Sequence, residues 1–166
     1  DATVNIDTRA VDLGPLLASY LPRHGQNVRG ETELHAWLKG PLKRPERLEA
    51  QLEIPALSLG YQSVQIANAA PIRIGYRGGI VTIERAELRG TGSDLQLTAA
   101  VPVAGEGNVR ATATGNLDLR ILQLLSPTLE SSGQVKLDVG ARGTRARPDI
   151  HGVVQVINAA VQAPNA

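Results

Sequence analysis

His24, His35 and His151 are the only side chains here that pair metal affinity with a pKa near neutrality. They are scattered, and none sits at the spacing of a ligand pair, so no metal centre is expected. Ser19 lies near His24, and Ser93-Asp94 falls in "GTGSD". Neither has the nucleophile elbow or the companion base that acyl transfer needs. "GEGNVR" (residues 105–110) lacks the third glycine and the strand-to-helix setting of a dinucleotide loop. "LKRPER" (residues 42–47) is a charge cluster around a proline and reads as a solvated turn. These residues predict a protein that is not an enzyme and takes no cofactor, so function must reside in the elements themselves.

Composition narrows the choice. Basic and acidic residues number 17 and 16, for a net charge of +1. That balance speaks against nucleic acid as a partner, because phosphate neutralisation needs a basic excess. Aromatics make up only 2% of the chain, which leaves little for base stacking and little bulk for the centre of a sphere. An aliphatic, thin or elongated body is the expectation. Cysteine is absent, which removes disulfides and thiolate sites and suits an oxidising compartment. No apolar run reaches the ~20 residues of a spanning helix. The opening "DATVNIDTRAVDL" lacks the basic and apolar regions of a signal peptide, and the chain reads as a fragment of a longer one.

Period-two alternation dominates. Val28, Thr32, Leu34, Ala36 and Leu38 share one parity, with Arg29, Glu31, Glu33 and His35 opposite. Leu48, Ala50, Leu52 and Ile54 alternate with Glu49, Gln51 and Glu53. The same holds for Leu95, Leu97, Ala99 and Val101, for Val109, Ala111 and Ala113, and for Val135, Leu137, Val139 and Ala141. Strands with one wet and one apolar side belong to antiparallel sheets. In "GGIVTIERAELRG" the apolar parity switches between Ile83 and Ala86, so a bulge is expected near Glu84 and Arg85. Trp37 falls on the polar parity of its strand, where it either packs under a neighbouring segment or marks an interaction surface.

Two short helices are expected, at about 12–21 and about 118–125, each opened by an aspartate (Asp12, Asp118) and stopped by a proline (Pro22, Pro127). Val11-Asp12-Leu13 matches Leu117-Asp118-Leu119, and Gly40…Pro45 matches Gly143…Pro148 at equal spacing. The order helix, proline stop, strand, Gly…Pro, strand thus occurs twice. The chain divides into a degraded first unit (1–60) and a better preserved second (61–166), within one continuous structural domain. Between the last two strands, Gly140 and Gly143 can take positive φ, and Arg147 is pushed to extended geometry by Pro148. A proline there also marks a strand start or an edge. Arg142, Arg145 and Arg147 around this link read as a solvated turn.

"LDLRILQLLSP" followed by "SSGQVKLDVGARGTRARPDIHGVVQVINAAV" resembles the C-terminal repeat of the TamB/AsmA-like envelope proteins. The matching positions are Gly115, Leu117, Leu119, Leu122, Leu125, Pro127, Ser132, Gly133, Leu137, Gly143, Thr144, Pro148 and Gly152. The match runs from about Pro71 to Val161. At Gly40-Pro41 the threonine is replaced by proline, and Pro45-Glu46-Arg47 is an insertion. The resemblance implies a mainly β protein built as a long, U-shaped antiparallel sheet, a β-taco open along an apolar concave face. It also implies a periplasmic setting in a diderm envelope, with a parent protein anchored in the inner membrane. Phospholipid would move between the membranes along such a sheet. Members of one branch assist outer-membrane proteins, which brings an Omp85-type assembly protein into view as a partner.

The residues reach a similar expectation by another path. A one-sided apolar sheet must close on itself or cover something greasy. An acyl chain of roughly sixteen carbons left in water costs on the order of 10 kcal/mol, so a continuous, uncharged, aliphatic lining would shield phospholipid acyl chains. The expected groove lining is Leu34, Ala36, Leu38, Leu52, Ile54, Val81, Ile83, Leu95, Leu97, Ala99, Val135, Leu137 and Val139. Two other outcomes stay open: an assembly factor that pairs its sheet edge with client strands, and a closed β-sandwich whose apolar residues pack on each other. The short helix could plug one end of a groove through Ile121, Leu122, Leu124 and Leu125, or simply cap a sheet end.

Overall fold

A computed structural model describes residues 2–15, 29–41, 43–103, 107–125 and 130–162. The first expected helix lies almost wholly outside them. Its start is visible: β1 (Ala2–Asp12) ends at Asp12, whose Oδ1 accepts a hydrogen bond from the Gly14 N–H at 2.7 Å. After it come β2 (Arg29–Gly40), β3 (Glu49–Ile54), β4 (Leu57–Tyr61), β5 (Val64–Asn68), β6 (Ile72–Arg77), β7 (Ile80–Gly90), β8 (Ser93–Pro102) and β9 (Asn108–Asp118). A 3₁₀ turn (Leu119–Ile121) leads into α1 (Leu122–Leu125), and the chain closes with β10 (Glu130–Thr144) and β11 (Arg147–Gln162).

All eleven described strands belong to one antiparallel sheet, elongated and curved. It is an up-and-down meander, with β1 on β2 and β7 to β11 pairing in sequence order. β3 with β4, and β5 with β6, act as two long strands, each interrupted once. β2 therefore pairs with both β3 and β4, and β7 with both β5 and β6. Proline sets the breaks: Pro55 separates β3 from β4, and Pro71 precedes β6. Asn68 replaces the missing ladder there. Its Oδ1 accepts from the Leu57 N–H at 2.7 Å, and its Nδ2 donates to the carbonyls of Ile54, Pro55 and Ala70 at 3.2, 3.0 and 2.9 Å.

The expected bulge is present. The β7–β8 register shifts between Ile83 and Ala86, which returns Ala86 and Leu88 to the side that Val81 and Ile83 occupy. The last link is a tight hairpin with Thr144 opposite Arg147. Gly143 takes φ +105° at its base, as required, whereas Gly140 does not take a positive φ. Pro148 stands second in β11, an edge strand, where its missing donor costs no ladder bond on the open side. Arg145 is more than a solvated turn residue: its Nη1 donates to the Val103 carbonyl at 3.1 Å and ties the hairpin to the end of β8. The earlier Gly40 link differs, as its proline insertion suggested. It is longer and contains a 3₁₀ turn at Pro45–Arg47.

The described strands form one sheet rather than two. No second sheet covers the first among the described residues, and very little is fully buried. The densest cluster is Tyr61, Val64 and Ile66, with Leu59, Leu88 and Ile121 against it. Val64, at 1% exposure, is its centre. The cluster sits where the 3₁₀ turn and α1 fold back from β9 over β4 and β5, so the short helix covers one end of the sheet.

Candidate functional site

The ladder registers define two faces of opposite chemistry. One cross-strand row runs Ile6, Ala36, Leu52, Ile74, Ile83, Ala99, Ala111, Ala141, Ile150, from one edge of the sheet to the other. Every member is aliphatic. The adjacent row, one residue along each strand and so on the other face, runs Asn5, Trp37, Gln51, Gly75, Thr82, Ala100, Arg110, Arg142, Asp149. At about 4.8 Å per strand, each row is about 38 Å long.

All thirteen expected lining residues lie on the first face. Leu34, Ala36 and Leu38 share it on β2, Leu52 and Ile54 on β3, and Val81 and Ile83 on β7. Leu95, Leu97 and Ala99 follow on β8, and Val135, Leu137 and Val139 on β10, joined through Gly115, Ala113 and Ala111 of β9. Along β10 the alternation is plain: Val135, Leu137 and Val139 are half-buried, while Lys136 and Asp138 are exposed. The lining residues pack along one side of a single sheet, with no second sheet over them among the described residues. No Asp, Glu, Lys or Arg occupies a regularly paired position on this face among the described residues. Its polar members are serine, threonine, asparagine and the hydroxyl-bearing Tyr61 and Tyr76.

The face is larger than the sequence reading expected. Val4 and Ile6 of β1 extend it at one border; Ile150, Val154 and Val156 extend it at the other. Leu57, Leu59, Tyr61, Val64 and Ile66, in the hairpin that carries the densest packing, also belong to it. Their alternation was readable in "ALSLGYQSVQIAN". The 3₁₀ turn before the helix enters this face through Ile121; the side chains of Leu124 and Leu125 lie outside the described residues. β11 is unusual in being apolar on both sides: Ile150, Val153, Val154 and Val156 are all more than half exposed, and its outer edge is unpaired among the described residues.

A polar network fixes the helix to the sheet end. Asp118 caps the 3₁₀ turn by accepting from the Arg120 N–H at 2.9 Å and grips the Arg120 guanidinium at 2.7 Å. Its own N–H donates to Ser93 Oγ at 2.9 Å, and Ser131 Oγ donates to the Leu119 carbonyl at 2.7 Å. The Arg120 side chain, outweighing burial, holds the Asp118 carboxyl below its ordinary value. Ser93, weighed above as a nucleophile, is thus a buried structural hydroxyl, and Asp94 is exposed beside Arg89.

The histidines are also placed. His35 stands on the polar face between Asp7 Oδ1 at 2.9 Å and Glu33 Oε1 at 3.1 Å, and these carboxylates, Asp7 foremost, raise its pKa above 6.5. The His151 ring lies over Gly140 on the same face, and His24 is outside the described residues. No group of three or more metal-ligating side chains comes together among the described residues. Two open hollows of about 600 and 450 Å³ also lie on the polar side; the first is bounded by Arg29, Gly60, Gln65 and Arg89, the second by Trp37, Gly75 and Thr82. No helix among the described residues is long and apolar enough to cross a membrane. Scans against protein families, curated proteins and solved structures return no match to this chain.

Proposed function

We infer that this chain is a non-enzymatic segment of a lipid conduit, in which the uncharged face shields phospholipid acyl chains on their way between two membranes. One observation carries the reading: the aliphatic row from Ile6 to Ile150 crosses the entire sheet without a charge, and among the described residues no second sheet lies over it. Monomeric soluble proteins rarely leave so large an apolar surface uncovered unless something binds it. An aliphatic lining without phenylalanine or methionine is smooth and grips no particular headgroup. The resemblance to TamB/AsmA-like proteins supports the same reading and adds the periplasm, an inner-membrane-anchored parent and an Omp85-type partner to the proposal.

The test is recovery of lipid. A photo-crosslinking residue at Leu97 or Leu137 should capture phospholipid during expression, whereas one at Thr112 or Lys136, on the other face, should not. Equal capture from both faces, or protein that purifies empty by native mass spectrometry, would sink the proposal. One observation favours a second reading: β11 offers a 16-residue edge strand, unpaired on its outer side among the described residues, with apolar side chains on both faces. Such an edge can add a client strand, as an assembly factor for outer-membrane β-barrels would do. Crosslinks from Val153 to nascent barrel strands, with none from Leu137 to acyl chains, would favour it.

A further inference from the structure

We propose that the polar face carries a separate binding site, a shallow groove across β1, β2, β3, β6 and β7 that takes a chain of glucose-configured sugar rings stacked on Trp37. Trp37 is the only indole in the chain. It stands 38% exposed on the predominantly polar face, beside Ile80 at the rim of the same hollow. An exposed indole on a polar surface is costly to keep in water and is a common anchor at recognition sites.

The ground around it is shaped. On one side lies the hollow of about 450 Å³, whose floor is formed where Gly75 lacks a side chain; a Cβ there would come within 2.9 Å of Thr82 Oγ1. On the other side lies a smaller hollow of about 190 Å³ that shares Trp37 and Gln51 as walls and reaches Asn5 and His35. From β1 to β7 the groove crosses four strand spacings, about 19 Å, which is room for about three or four rings of a β-linked chain.

The chemistry selects the occupant. A glucose-configured ring carries its hydroxyls equatorially, so each flat side presents polarised C–H groups that suit the negative face of an indole. Its rim of hydroxyls needs donors and acceptors together. Gln51, Thr82, Arg77 and Glu49 supply both around the hollow. An anion is disfavoured because the rim cations are already matched: Arg77 lies 3.3 Å from Glu49, and Arg73 lies 3.4 Å from Glu53. An acyl chain is disfavoured by the charged rim of Glu49, Arg73, Arg77 and Glu84. Because the groove is on the face opposite the aliphatic row, the inference stands or falls independently of lipid binding.

With a single tryptophan, emission reports this site alone. Titration with cellotriose or chitotriose should give a saturable quench or blue shift, and inorganic phosphate should give none. Gly75→Val fills the floor at a strand position whose φ is not left-handed, so the fold and any lipid content should persist while sugar affinity falls at least tenfold. Trp37→Ala, followed by calorimetry, should lose binding to a similar extent and serves if the valine variant folds poorly. No saturable response to either trisaccharide, undiminished affinity in the variants, or an equal response to phosphate would each overturn the proposal.

Discussion

Leu137→Asp separates an open face from a covered one. Leu137 lies mid-strand on β10, between Gly115 and Val154, and is half-buried. Complete burial of a leucine is worth about 1.5–3 kcal/mol, so half of that, about 0.8–1.5 kcal/mol, is forfeited when the side chain is removed. The carboxylate adds little, because on a single-layer sheet it keeps contact with water; the net cost is about 1–2 kcal/mol. In a closed core the same carboxylate would be stranded without a partner, and the loss would exceed about 4 kcal/mol. With a urea slope of about 2 kcal/mol/M, the open face predicts a midpoint lowered by about 0.5–1 M with a cooperative transition retained. The companion measurement is bound phospholipid after extraction, which should fall sharply, because a charge now interrupts the aliphatic lining. A variant that fails to fold refutes the uncovered face. One that folds and carries undiminished lipid refutes the conduit.

Asn68→Ala removes four hydrogen bonds at the Pro55–Pro71 interruption and leaves the Leu57 N–H without its partner; a loss of about 1–3 kcal/mol in chemical denaturation is expected. Gly115→Ala should cost about 2–4 kcal/mol, since its φ is +130° and a Cβ would meet the Asp94 carbonyl, whereas Gly60→Ala, with nothing nearer than 3.6 Å, should stay within about 0.5 kcal/mol of the parent. The Asp118 carboxyl titrates below its unfolded value of 3.8, so its contribution is complete above that pH and lost as pH falls through the lower folded value. Asp118→Asn should therefore flatten the acid limb of a stability–pH profile. His35 has the opposite sign: raised above 6.5, its contribution is complete below that pH and lost as pH rises through the folded value. In a proton NMR titration, Asp7→Asn should lower the His35 midpoint more than Glu33→Gln does, and an unmoved midpoint would break the assignment.

The elements that the sequence disclosed are those governed by local parity. Alternation alone placed the thirteen lining residues on one side, and the parity switch between Ile83 and Ala86 located the bulge. Asp118 as a cap was likewise a local signal. β1 escaped notice because its alternation dies early: the β1–β2 register shifts between Thr8 and Val11, and Ala10 takes φ +50°. The two interrupted strands were hidden for a different reason. Whether β7 meets β5 or β6 depends on how Asn68 bridges Leu57 and Ile54, and those partners are more than ten residues away. Trp37 announced its face by parity, but the hollow beside it is made by Gly75, which comes from β6 and is brought near only by the meander. Composition suggested an elongated body, yet could not decide between one layer and two, since that depends on contacts absent from any single strand.

The count of reversals has a geometric consequence. Eight antiparallel steps lead from β1 to β11, an even number, so the two borders of the sheet point the same way. Joining the last border of one molecule to the first border of an identical one would create a parallel seam, the weaker ladder and one foreign to the rest of the sheet. Two last borders brought together about a twofold axis perpendicular to the sheet would instead meet antiparallel, and their greasy sides would run on as one surface.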